Sequence, residues 1–108
     1  MTDLLTKNDL TIRRRLETDN SVTLVAEGEL DLLTSIQVRE ELLAIEALGQ
    51  SKINLDLKGI HFLDSMGLST IIGFKKRLAA GGRDLGITAA SSQVLKVLTL
   101  LGLRTWFM

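Results

Sequence analysis

Ile53-Asn54-Leu55-Asp56-Leu57-Lys58-Gly59-Ile60-His61-Phe62-Leu63-Asp64-Ser65-Met66-Gly67-Leu68 passes from one hydrophobic spacing to another. Ile53, Leu55 and Leu57 alternate with Asn54, Asp56 and Lys58, the period of a strand. Gly59 to Leu63 reads as a connection. Asp64 or Ser65 then starts a helix, and Leu68, Ile71, Ile72, Phe74 and Leu78 return at helical spacing until Gly81-Gly82 stops it.

Working outward, the same alternation of strand and helix recurs. Upstream, Leu10, Ile12 and Leu16 alternate with polar residues, with Arg14 breaking the pattern as at a strand edge. A polar turn, Glu17 to Ser21, leads into the β-branched run Val22 to Ala26, and Gly28 to Leu33 leaves that strand. Thr34 or Ser35 can cap the next helix, whose stripe is Val38, Leu42, Ile45 and Leu48, with Gly49 at its end. Downstream, Leu85 to Ala89 reads as a strand and Ser91-Ser92 caps a very apolar helix stopped by Gly102. Leu103 to Phe107 offers a short fifth strand. Residues 1–8 carry no pattern and are expected to fray.

The order β-β-α-β-α-β-α-(β) predicts one α/β domain over residues 1–108. Its mixed sheet has four or five strands joined by right-handed helical crossovers, with the first strand antiparallel at an edge.

Composition narrows the function. The chain has 108 residues, with thirteen basic and thirteen acidic side chains that cancel. No global field favours nucleic acid or an anionic membrane, and an aromatic platform for bases is missing. The absence of cysteine excludes disulfides and thiolate chemistry, and His61 is the single histidine, which removes His-cluster metal sites and most Ser-His catalysis. No apolar run is long enough to span a bilayer, and the N-terminus lacks a signal-peptide pattern, so a soluble cytoplasmic domain is expected, without cofactor or metal. A small hydrolase or nucleotide-handling enzyme built on Asp64 and Ser65 would lack a base other than His61 and a phosphate loop of P-loop spacing.

In open α/β sheets, functional groups gather where strands end and helices begin. Two such junctions stand out, Gly28-Glu29-Leu30-Asp31 and Phe62 to Thr70. Ser65 falls in the first turn of its helix, where free N–H groups and the helix dipole favour a phosphate. Gly67 beside it suits a close approach. An isolated Asp-Ser-x-Gly is far more often a plain helix cap than a regulated serine.

The motifs taken together resemble the STAS domain family. Gly28-Glu29-Leu30-Asp31-Leu32-Leu33-Thr34-Ser35 is similar to its G-x-[LIV]-D-x-x-[TS] signature. Ile53 to Leu68 resembles its second signature, ending D-S-[SAT]-G-[LI], and Val97 to Leu103 resembles the end of its third helix. The resemblance covers residues 10 to 107 and is closest to the anti-sigma factor antagonists. It implies a non-enzymatic interaction module that binds an anti-sigma factor, a GHKL-type serine kinase, and so frees a sigma factor. Ser65 matches the serine which that kinase phosphorylates and a PP2C-type phosphatase resets. Asp31, Asp64, Met66, Gly67 and Ser69 fall with Ser65 on the implied partner-binding surface. Met66 departs from the usual Ser, Ala or Thr, so its long thioether either fills a partner pocket or obstructs the kinase. The sequence stops at Met108 without the C-terminal helix many members append, as in a minimal or shortened member. An alternative within the same fold is a subunit of a larger assembly: a stressosome scaffold in contact with other STAS proteins, or a regulator of a lipid or anion transporter.

Other features read more plainly. Arg13-Arg14-Arg15 suits a charged edge that resists strand addition. Lys75-Lys76-Arg77 suits the solvated face and basic end of its helix, with a docking patch for an acidic partner as the minority reading, and Gly73 suits a close approach of the helix to the sheet or to a partner. His61 reads as a packed or surface residue, Asp56 as pointing to the other sheet face or capping the junction, and Trp106 and Phe107 as core or edge aromatics. Of the third helix, Leu95 or Leu100 is left without room on the sheet.

Overall fold

The computed structural model describes residues 10–108; the expectation for residues 1–8 lies outside them. Four strands, β1 (Leu10–Leu16), β2 (Ser21–Leu30), β3 (Lys52–Leu63) and β4 (Asp84–Ala90), form one sheet in the order β1-β2-β3-β4. β1 is antiparallel to β2, and β2, β3 and β4 are parallel. Among the described residues the helices are α1 (Thr34–Glu46), α2 (Ser65–Ala80), α3 (Ser92–Leu100) and α4 (Arg104–Phe107).

Register explains the core. Val22 pairs with Ile53 and Leu24 with Leu55, while Ile53 and Leu55 pair in turn with Leu85 and Ile87. These side chains share one sheet face, and all are buried. Val38, Leu42 and Ile45 of α1, and Leu68, Ile71, Phe74 and Leu78 of α2, complete the same cluster. Each fully buried leucine or isoleucine contributes about 1.5–3 kcal/mol relative to exposure. The alternate residues Ser21, Thr23 and Asn54 satisfy one another instead. The Asn54 amide donates to the Ser21 and Thr23 hydroxyls at 3.2 and 3.4 Å, and Thr23 donates to Glu17 at 2.5 Å.

The structure corrects several expectations. β2 and β3 continue through segments read as connections. Gly28 pairs with Ile60, Glu29 with Phe62 and Leu30 with Leu63, across register shifts that break the hydrophobic alternation. Gly28 takes a φ of 123°, a conformation glycine adopts without penalty. Residues 103–107 do not form a fifth strand: Gly102 reverses the chain at a φ of 69°, and α4 follows, with Phe107 buried. A short apolar run of this kind carries no period that separates strand from helix. Leu48 lies beyond the end of α1 and is exposed. Of the two leucines competing for space on α3, Leu100 is the one left out, 76% exposed.

Lys75 is not part of a solvated face. It is buried, donating to the Asp84 carboxylate at 2.9 Å and the Leu85 carbonyl at 2.8 Å, with Trp106 and Phe107 stacked near its ammonium. Gly73 makes no close approach, since a side chain there would meet nothing within 4 Å. Arg13, Arg14 and Arg15 do lie on the edge strand β1, in contact with Glu27, Glu41 and Glu17 respectively. His61 is exposed on β3, 3.5 Å from Glu29. Asp56 is buried and accepts from the Lys58 N–H at 3.2 Å.

Candidate functional site

The ends of β2 and β3 lie side by side, and each passes into a helix through an aspartate. At the first junction the Asp31 carboxylate accepts the N–H groups of Leu33 and Thr34, both at 3.0 Å. The Thr34 hydroxyl accepts from the Asp31 N–H at 2.9 Å and donates to the Glu29 carbonyl at 2.8 Å. The Ser35 hydroxyl donates to the Leu32 carbonyl at 2.8 Å. The expected caps, Thr34 and Ser35, are therefore buried inside the helix start, and Asp31 supplies the acceptor for the free N–H groups.

At the second junction Asp64 is the N-cap of α2, in extended conformation. One carboxylate oxygen accepts from the Gly67 N–H at 2.9 Å. The other accepts from the Leu32 N–H at 3.1 Å, across the gap between the junctions. The Asp64 N–H itself donates to the Leu30 carbonyl at 3.1 Å. Gly67 seals the contact: a β-carbon there would stand 2.6 Å from the Leu30 carbonyl oxygen and 2.7 Å from its side chain.

Ser65 is the first residue of α2, exposed, and its hydroxyl has no partner among the described residues. Met66 beside it is 47% exposed, and Ser69, one turn further on, is exposed as well. The structure thus brings the six predicted positions to one end of the sheet in two kinds of role. Asp31, Asp64 and Gly67 hold backbone; Ser65, Met66 and Ser69 face outward.

Sequence reasoning missed Leu32, Leu33 and Ile36, which are 56%, 72% and 58% exposed at the same end of the sheet. The phase of α1 held the signal. With Val38, Leu42 and Ile45 inward, Ile36 falls off the stripe, and the pair Leu32-Leu33 precedes the helix. Exposed apolar residues at the same end of the sheet as an exposed hydroxyl suit a surface that docks another protein.

A second set of charges braces α2 from the side. The Arg77 Nε donates to both Glu46 carboxylate oxygens, at 3.0 and 2.9 Å, and this hydrogen bond holds the Glu46 carboxyl below its ordinary pKa. Among the described residues no three histidine, aspartate or glutamate side chains converge as metal ligands. No described helix is long and apolar enough to cross a membrane.

Comparison with known proteins agrees with this geometry. The STAS domain family model matches residues 13–107, and the chain belongs to that family. The anti-sigma-B factor antagonist of Staphylococcus epidermidis is 27% identical over 77 residues, 71% of each chain. The anti-sigma factor antagonist SpoIIAA in its unphosphorylated form superposes with a TM-score of 0.77 at 25% identity, covering 91% of this chain and 86% of that one. The Bacillus cell fate determinant SpoIIAA in its phosphorylated form gives 0.72 at 24% identity, covering 91% and 89%.

Proposed function

We propose that this chain is an anti-sigma factor antagonist that works in the cytoplasm by binding, not by catalysis, with Ser65 as its phosphorylation switch. Unphosphorylated, it docks on an anti-sigma factor, a GHKL-type serine kinase, and so releases a sigma factor. Phosphorylation of Ser65 ends docking, and a PP2C-type phosphatase restores it. The observation that carries this reading is the free, exposed Ser65 hydroxyl on a backbone pinned by the Asp64 carboxylate and by the Gly67 contact. Its relatives support the reading, since SpoIIAA is known in both phosphorylated and unphosphorylated forms.

The physics of the switch is local. Phosphate adds about 1.5–2 negative charges, which the start of α2 tolerates because its N–H groups and dipole face that charge. A partner surface shaped for a neutral hydroxyl beside exposed Met66 would have to desolvate the dianion. Asp31 and Asp64 act as scaffold, because their carboxylates are spent on backbone N–H groups. Met66 and Ser69 belong to the contact surface.

The test is capture from source-cell lysate with wild-type and Ser65→Asp baits, read by mass spectrometry. The expected result is a GHKL-type kinase held by wild type and by Ser65→Ala, and lost with Ser65→Asp. Only wild type should take up phosphate from that kinase. A second reading, membership of a larger assembly, draws on exposed Leu100 and Leu101 at the end of α3. Capture of other STAS proteins or a transporter, indifferent to residue 65, would establish it in place of the switch.

A further inference from the structure

α1 and α2 do not close on each other along their outer side. Between them lies an open groove of about 260 Å³, lined by Arg39 of α1 and by Ser69, Thr70, Gly73, Phe74 and Arg77 of α2. Gly73 leaves the groove open, since a β-carbon at that position would meet no atom within 4 Å. Its two cations differ. Arg77 is held in place by Glu46 and lies over the Phe74 ring, with its guanidinium carbon 5.8 Å from the ring centre. Arg39 is exposed and, among the described residues, pairs with no carboxylate.

Among the described residues no acidic side chain lines the groove. A guanidinium without a counter-ion, beside the free Ser69 hydroxyl, is complementary to a carboxylate, which it can meet with paired N–H donors. The groove also begins one helical turn from Ser65, because Ser69 is four residues along the same helix and so on the same face. Ser65, Ser69 and Gly73 therefore form an exposed line along one face of α2, from the switch to the groove.

We infer that this groove is the second half of the docking surface, and that it receives an acidic segment of the anti-sigma factor, one of whose carboxylates pairs with Arg39. The inference rests on the function proposed above and adds to it the chemistry of the partner. Ser65 reports phosphorylation, whereas Arg39 supplies attraction and register on either side of the switch. Charge pairs of this kind speed encounter and lose strength with salt.

The test measures binding of the kinase captured by wild type to three purified variants of the full chain, at low and high salt. Arg39→Glu is expected to weaken binding at least tenfold, and Arg39→Ala by less, with a flatter dependence on salt than wild type. Lys96→Glu makes the same change of charge on the exposed side of α3 and is expected to leave affinity within twofold. Circular dichroism and melting curves of all three should match wild type, because the substituted side chains are exposed. Unchanged binding by Arg39→Glu, or an equal loss with Lys96→Glu, would overturn the groove and leave the Ser65 switch standing. Failure of wild type to bind any such kinase would remove both.

Discussion

The two strand-to-helix junctions begin alike and end differently. Each has an aspartate that receives two backbone N–H groups. Asp31 spends its carboxylate within its own turn, on Leu33 and Thr34. Asp64 spends one oxygen on its own helix and the other on Leu32 of the neighbouring junction. The hydroxyls diverge too. Thr34 is buried with both hydrogen-bonding roles filled, whereas Ser65 is exposed with neither filled among the described residues. The first junction is thus self-contained structure, and the second is a platform that borrows rigidity from the first in order to present a free group.

The comparison is broken most severely at Gly67. Gly67→Val would drive a side chain into the Leu30 carbonyl, 2.6 Å from where its β-carbon must sit. Both atoms belong to fixed backbone, so the helix must shift away from β2 as a whole. We expect a loss of about 3 kcal/mol or more in chemical denaturation, at the upper end for a single overpacking substitution. A loss under 1 kcal/mol would mean that the junctions are not rigidly joined.

The aspartates sharpen the asymmetry. Asp64→Ala should cost about 2 kcal/mol, because it strands N–H groups on two elements at once. Asp31→Ala should cost about 1 kcal/mol, the usual effect of losing a helix cap. Amide hydrogen exchange separates the two variants better than stability does. Asp64→Ala should speed exchange at both Leu32 and Gly67, while Asp31→Ala should speed it at Leu33 and Thr34 and leave Gly67 protected. Equal loss of protection at Gly67 in both variants would show the dependence to run both ways.

Much of this arrangement is legible in the sequence, and what is not has local causes. Period-2 alternation in Ile53, Leu55 and Leu57, the stripe of α2 and the Ser91 cap all appear where the pattern places them. β3 runs past that pattern because bulges beside Gly28 and Gly59 shift the register and scramble the alternation without ending the pairing. Lys75 was masked by its charge. It follows Ile71 by four residues and precedes Leu78 by three, so the stripe already turned it inward, where Asp84 and the Leu85 carbonyl receive it. Asp31 takes the place of Thr34 as the capping acceptor, because the Thr34 hydroxyl is turned back to the end of β2, where it accepts from the Asp31 N–H and donates to the Glu29 carbonyl. The side-by-side placement of Asp64 and Leu32 depends on parallel pairing between β2 and β3, which no spacing along one chain reveals.

The smallest expected effect separates the hydroxyls. Thr34→Val keeps the shape of the side chain but leaves the Asp31 N–H and the Glu29 carbonyl without their partner. The cost should be about 1–2 kcal/mol, since the site is buried and water cannot replace both bonds. Ser65→Ala removes a hydroxyl that bonds to nothing among the described residues, at a helix position where alanine is favourable. Its unfolding free energy should stay within about 0.5 kcal/mol of wild type. Side-by-side urea titrations read both, and near-equal midpoints for the two variants would erase the distinction between a structural and a presented hydroxyl. If instead Ser65→Ala leaves stability alone and abolishes phosphate uptake, the serine at this helix start is held for its chemistry and not for the fold.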